Sequence, residues 1–303
     1  MADGRVVAVV GPTATGKSEL AIALAERLGG EIVNADSMQL YVGMDIGTAK
    51  VAPAQRRGVP HHVLDVWPLE KSAAVAEYQA LARDAIARIQ ARGRIPVLVG
   101  GSGLYVRGVL DRLDFPGESG PIRARLAAEL ADVGAGALHA RLGRLDPAAA
   151  AAILPTNGRR IVRALEVIEL TGGPFTARMP AFSSIYNCIQ IGLDRADLDE
   201  RVARRVHHMI AKGLLDEVRA LLPHGLRASP TAGKALGYAQ LLAVVDEAGE
   251  LTGCLDEAIE HTVRATLRFV RRQRSWFRRD PRIHWLDGAD RGLLQAALRT
   301  LDV

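Results

Sequence analysis

Eight residues near the start of the chain, Gly11, Pro12, Thr13, Ala14, Thr15, Gly16, Lys17 and Ser18, meet the spacing GxxxxGK[ST] of a phosphate-binding loop. The residue types dictate the chemistry. Successive backbone N–H groups can curl around phosphate oxygens, and a helix beginning after Gly16 adds partial positive charge at its N-terminus. Lys17 would reach the more distal phosphate, and the Ser18 hydroxyl would ligate Mg²⁺. A second chemical group, Asp36, follows residues 31–35, which read as a strand. An aspartate just past the C-terminal end of a parallel strand lies at the ligand edge of the sheet. There it can serve as a general base, hold a metal or cap a turn.

These groups need a frame. Residues 5–10 form a valine-rich run ended by Gly-Pro, which reads as a buried parallel strand. Residues 17–28 carry Leu20, Leu24 and Leu28 on one helical face and stop at Gly29-Gly30. Residues 31–35 and 95–99 read as further strands, with an alanine-rich helix at 73–92 between them. The alternation predicts an α/β fold, a parallel sheet flanked by helices as in P-loop NTPases. Pro116-Gly117 and Gly120-Pro121 break the pattern, and 122–171 reads as almost wholly helical. Residues 187–193 return to strand, and 201–212, 232–248 and 254–278 read as helices. The expected organisation is a catalytic core of 1–115 and 188–303, interrupted by a mostly helical insertion at 116–187.

Composition narrows the class. A length of 303 residues suffices for one large domain or two modest ones. Lys and Arg outnumber Asp and Glu by only 39 to 34, so total charge alone does not indicate nucleic acid. Cys188 and Cys254 have no metal-ligand spacing and read as small buried hydrophobes in a reducing compartment. No secretory leader or membrane span is legible, which points to a cytoplasmic protein, read here as a monomer. By itself the loop suggests ATP and a small-molecule kinase. The strand at 95–99, however, ends in Gly-Gly without the acidic residue such a kinase uses for Mg²⁺. A non-enzymatic nucleic-acid-binding protein with a vestigial loop is a third reading, and the intact Lys17, Ser18 and Asp36 argue against it.

Further motifs raise a specific resemblance. GPTATGKS at 11–18, DSMQLY at 36–41, DIGTAK at 45–50, HHVLD at 61–65, VGGSGLY at 99–105, RRIVRALEV at 159–167, KALGY at 234–238 and RRQRSWFRR at 271–279 occur in the order found in the tRNA dimethylallyltransferases, the IPP transferase family. The chain resembles that family over nearly its whole length. The resemblance implies transfer of a dimethylallyl group from dimethylallyl diphosphate to the N6 amine of the adenosine 3′ to the anticodon, position 37. The loop would then hold the diphosphate through its eight residues, with Lys17 and Thr13 acting in catalysis and Mg²⁺ beside Ser18. Asp36 would be the base, and Ser37, Met38 and Gln39 would touch the target nucleotide. An arginine of the helix after the late strand would face the diphosphate, and the resemblance leaves open whether it is Arg201 or Arg205. Ser102 takes the place of a threonine near the tRNA, and Arg123 matches an arginine at the start of the inserted helices. The segment Arg159, Arg160, Ile161, Val162 and Arg163 would meet the anticodon stem-loop. The chain departs from the family at Ala239 and Gln240, where Lys-Glu is usual, and at Leu267, where an arginine is usual.

Charge distribution adds to this. Arg159 and Arg163 share a helix face, either solvated and paired with Glu166 and Glu169 or set against RNA phosphates. Between Arg264 and Arg282 stand eight arginines and one acid, Asp280. Arg264, Arg268, Arg271 and Ser275 form one helical stripe, and Val263, Leu267 and Val270 form another that must be buried. Phosphate contact is favoured over a membrane surface because Trp276 and Phe277 belong to the globular pattern. The adjacent His61 and His62 would point to opposite faces of a strand, so they read as structural or substrate-edge groups and not as a shared metal site.

Overall fold

The computed structural model describes residues 4–175 and 181–302. Strand β1 (Arg5–Val10) is buried because its apolar residues serve two faces. Val6, Ala8 and Val10 enter one core, and Val7 and Val9 enter the other. The chain then forms α1 (Lys17–Leu28), β2 (Glu31–Asn34), the two-residue β3 (His61–His62), α2 (Val75–Ala91), β4 (Pro96–Gly100) and α3 (Gly103–Leu110). After a helical excursion it forms β5 (Asn187–Asp194) and later the short β6 (Ile283–Asp287). The six strands make one parallel sheet in the order β3-β2-β4-β1-β5-β6. A parallel sheet must be covered on both faces. Helix α1 covers one face, and α2 and α3 cover the other.

The excursion comprises α4 (Gly120–Leu145), α5 (Pro147–Ala152) and α6 (Gly158–Thr171). Helix α4 is broken at Gly134, whose φ of 79° is not helical. Residues 112–183 form one compact unit, and 4–111 with 184–302 form the other. The core of the smaller unit is built from Leu126, Leu138, Leu142, Ile161 and Leu165. These divisions fall a few residues before the 116–187 expected from Pro-Gly pairs.

Beyond β5 lie α7 (Leu198–Ala211), α8 (Leu214–Leu221), α9 (Tyr238–Leu242), α10 (Leu255–Phe277), β6 (Ile283–Asp287) and α11 (Leu293–Thr300). Two expectations fail here. The helix expected at 232–248 shrinks to α9 and one short turn at Ala232–Lys234, because Gly237 takes a φ of 87° between them. The edge strand β6 went unread because its residues are mostly exposed and carry no apolar run. No helix among the described residues is long and apolar enough to cross a membrane.

Candidate active site

Residues 11–18 join the C-terminal end of β1 to α1. Gly11 has a φ of 128°, and a Cβ there would lie 2.3 Å from the Leu193 carbonyl oxygen, so the first turn of the loop demands glycine. The Thr15 hydroxyl donates to the Pro12 carbonyl at 3.0 Å, and Lys17 Nζ donates to the same oxygen. No side chain caps α1 at Gly16, which leaves its first N–H groups for an anion. Lys17 keeps some exposed surface but is packed around by protein. That burial, followed by the nearby Arg205 charge, pushes its ammonium down to about 7, while Asp36 opposes the shift.

The aspartate turn is built from several side chains. The Asp36 N–H donates to Asn34 Oδ1 at 2.9 Å, and the Met38 N–H donates to Asp36 Oδ1 at 3.0 Å. Ser102, just before α3, accepts the Ser37 N–H at 3.1 Å. One carboxylate oxygen of Asp36 thus holds its own turn, and the side chain lines two adjoining cavities.

The larger cavity, about 650 Å³, is walled by the phosphate loop, the stretch around Asp45–Lys50 and helix α7. Arg201 and Arg205 both line it, together with His208 and Lys212. Arg201 Nε also donates to the Ala14 carbonyl at 2.9 Å, and Arg205 lines the second cavity as well. Burial lowers the Arg205 pKa from its ordinary value. The smaller cavity, about 320 Å³, is lined by Ser37, Met38, Ser102, Val206, Thr262 and Phe269, among others. Thr13, Asp36, Thr48 and Arg205 belong to both. A group held in the loop and a group entering the smaller cavity would meet at that junction. Gln39 is not on the smaller side: its Nε2 donates to the Thr48 carbonyl at 3.1 Å and it lines the larger cavity.

Further side chains hold the walls of these cavities in place. Glu217 of α8 accepts the N–H groups of Asp45, Ile46 and Gly47 at 3.1, 2.7 and 3.2 Å, and the buried Tyr238 hydroxyl donates to it. This anchors the DIGTAK stretch against the cavities. Lys50 ties the same stretch to Asp45 and Asp65. From α10, Gln273 reaches the phosphate loop, where its Oε1 accepts the Thr13 N–H at 3.0 Å. Such contacts join distant segments, and the quoted motifs only hinted at them.

A metal would find the Ser18 hydroxyl at the start of α1 and carboxylates such as Asp36 across the same cavity. Mg²⁺ usually takes one or two protein oxygens and completes its shell with phosphate oxygens and water. This sparse, all-oxygen donor set fits that habit.

The insertion residues fall into three groups. Ile161 is fully buried and Val162 nearly so, both in the core of the helical unit, so their side chains have no surface to offer an RNA. Arg123 and Arg163 close on the buried Glu166: Arg123 Nη2 lies 2.9 Å and Arg163 Nη1 3.0 Å from Glu166 Oε2. Burial alone would raise the Glu166 pKa, but the Ser119 N–H and these two guanidiniums hold it below its ordinary value. Arg163 also donates to the Pro116 and Gly117 carbonyls. Arg159 and Arg160 are exposed.

Two of the three departures from the family pattern, Gln240 and Leu267, have local roles, and nothing in the structure explains Ala239. Gln240 accepts the Gly237 N–H at 2.8 Å, as a glutamate would, and so holds the start of α9. Leu267 packs with Ala14 of the phosphate loop, Val202 and Val270. His62 pairs with Glu31, and His61 bonds to the Val59 carbonyl, which are structural roles. Cys188 is partly buried and its thiol is pushed up to about 12 by burial, whereas Cys254 is exposed, contrary to expectation.

Residues 39–280 match the family model described as IPP transferase. The tRNA dimethylallyltransferase of Salinispora arenicola (strain CNS-205) is 64% identical over 302 residues, covering 99% of this chain and 87% of that protein. That of Thermobifida fusca (strain YX) is 65% identical over 288 residues, covering 93% and 89%. Among solved structures, the tRNA isopentenylpyrophosphate transferase of Bacillus halodurans aligns with a TM-score of 0.71 at 39% identity, covering 99% of this chain and 97% of that one. A eukaryotic dimethylallyltransferase acting on tRNA aligns with a TM-score of 0.82 at 25% identity, covering 98% and 77%.

Proposed function

This chain belongs to the IPP transferase family, and we propose the following assignment of its reaction. The protein is a tRNA-modifying prenyltransferase that takes its dimethylallyl group from dimethylallyl diphosphate. The acceptor is the N6 amine of the adenosine 3′ to the anticodon. The diphosphate occupies the larger cavity, held by the loop N–H groups, Lys17, Arg201 and Arg205. The adenine enters the smaller cavity between the Ser37–Met38 turn and the α10 side chains Thr262 and Phe269. The observation that carries this reading is the junction: Thr13 and Asp36 line both cavities, one of which has the phosphate loop in its wall.

The amine lone pair attacks C1 of the allylic group. The C1–O bond breaks, and its electrons leave with the diphosphate. The proton of the alkylated amine passes to the Asp36 carboxylate. Lys17 and the arginines stabilise charge as it develops on the leaving oxygens, inside a site where such interactions are strong. Ser18 would hold Mg²⁺, which when bound neutralises part of the diphosphate charge. Positioning matters as much as charge, because an exocyclic amine is a weak nucleophile. Extruding the adenosine is the general requirement of chemistry on a base. The exposed Arg159 of the insertion and the α10 arginines would meet tRNA phosphates. A tRNA substrate is also the ground for placing the protein in the cytoplasm.

Asp36→Asn tests the assignment, since asparagine keeps the Oδ1 acceptor for the Met38 N–H and so preserves the turn. It should bind tRNA normally while kcat falls by about 10²–10⁴-fold, the range of general-base contributions. Lost tRNA affinity with normal turnover at saturation would contradict the base role.

A further inference from the structure

Helix α10 presents an uncharged side chain among arginines. Gln273 stands between Arg272 and Arg274, yet it is only 5% exposed. Its amide is used at both ends. Oε1 accepts the Thr13 N–H at 3.0 Å, and Nε2 donates to the Gly101 carbonyl at 2.9 Å. The approach to Gly101 needs glycine, because a Cβ there would sit 2.4 Å from Nε2. The next residue, Ser102, holds the Ser37 N–H and with it the turn that carries Asp36. One side chain therefore spans from the phosphate loop to the support of the base turn.

The helix beneath it is itself pinned. Arg274 Nε and Nη2 bond to Asp194 at the end of β5 at 2.9 and 2.8 Å, and Nη2 also donates to the Arg195 carbonyl at 2.7 Å. The Trp276 ring sits against Gly103 at the start of α3. The glutamine thus projects from a fixed base. An apolar side chain of the same size would fill the space but leave the Thr13 N–H and the Gly101 carbonyl without this partner.

We propose that Gln273 is a positioning residue for prenyl transfer: it sets the separation between the loop that holds the leaving group and the turn that holds the base. The proposal rests on the prenyl-transfer reading above. Its bond to Thr13 also commits one loop N–H to the protein, leaving the remaining N–H groups and Lys17 for the diphosphate. Loss of the strut should therefore disturb the alignment of the reacting atoms more than the binding of the donor.

Two variants test this, assayed beside the wild type with dimethylallyl diphosphate and unmodified tRNA. Gln273→Met should lower kcat about 10–100-fold while the KM for the diphosphate stays within about threefold, as expected for a small misplacement. Gln273→Glu offers a readout that simple packing would not move. Its carboxylate can accept the Thr13 N–H but faces the Gly101 carbonyl without a proton to donate. Protonated, it can do both. Its kcat relative to wild type should rise as pH falls from about 8 to about 6, since burial and the nearby Asp36 favour the neutral acid against the pull of Lys17, Arg201 and Arg205, which line the same cavity. Binding stoichiometry for inorganic pyrophosphate measures the folded fraction of each variant. If the wild type transfers no prenyl group, the parent reading fails. If it does, the strut is overturned by wild-type kcat in Gln273→Met, by a kcat loss no larger than the loss of pyrophosphate sites, or by a pH-independent Gln273→Glu ratio.

Discussion

Lys17 stands where three influences meet: burial and the Arg205 charge favour its neutral form, and Asp36 favours the charged one. With its pKa near 7, well below the ordinary lysine value, the free protein holds a largely neutral lysine above neutral pH. A bound diphosphate favours the charged form, so binding at about pH 8 draws a proton from solvent, and affinity weakens as pH rises through 7. Calorimetry of pyrophosphate binding in buffers of different ionisation enthalpy should show more proton uptake for wild type than for Lys17→Met at pH 8, and little difference at pH 6. Equal uptake at both would remove Lys17 from the binding event. The loop and Asp36 were legible at this scale because a contiguous motif encodes its own geometry. Gln273 was not, because its partner Thr13 lies 260 residues away. Ile161 and Val162 mislead in the opposite way. They sit inside a motif that implies RNA contact, yet helical periodicity turns their side chains into the core.

Helices α8 and α9 act together on one stretch of chain. Glu217 takes three consecutive N–H groups of the Asp45–Gly47 segment, and Tyr238 closes over the same carboxylate. Glu217→Ala leaves those groups without their acceptor, so chemical denaturation should show a loss of about 1–3 kcal/mol. The donor KM should rise, because Thr48 and Lys50 line the larger cavity, where the diphosphate is proposed to sit. An unchanged KM would separate the segment from donor binding. In the insertion, Arg163→Ala breaks contacts to Glu166 and to two backbone carbonyls, so its main effect should be on stability. Arg159→Ala should instead flatten the salt dependence of tRNA binding by about 0.7–0.9 in log–log slope, the value of one phosphate contact. An unchanged slope would take Arg159 off the RNA. The sheet strands β1 and β4 were readable from their apolar runs, and β2 and β5 from β-branched residues between breaks in the pattern. The edge strand β6 and the broken stretch before α9 were not, because neither has a periodic pattern strong enough to outweigh exposed residues and glycines.

At the scale of the molecule, two compact units divide the labour as proposed: the sheet unit holds both cavities, and the helical unit offers Arg159 on its surface. The phosphate loop read alone pointed to ATP. The adjoining cavity, which shares Asp36 with the cavity walled by the loop, leaves room for a second substrate beside a diphosphate, as proposed. The most direct measurement is transfer itself. The protein is incubated with unmodified tRNA, Mg²⁺ and dimethylallyl diphosphate labelled in the allylic group, and the RNA is digested to nucleosides. Label is expected on N6 of the single adenosine 3′ to the anticodon, while unlabelled diphosphate is released. No labelled adenosine, accompanied by ATP-dependent phosphorylation of a small metabolite, would contradict it.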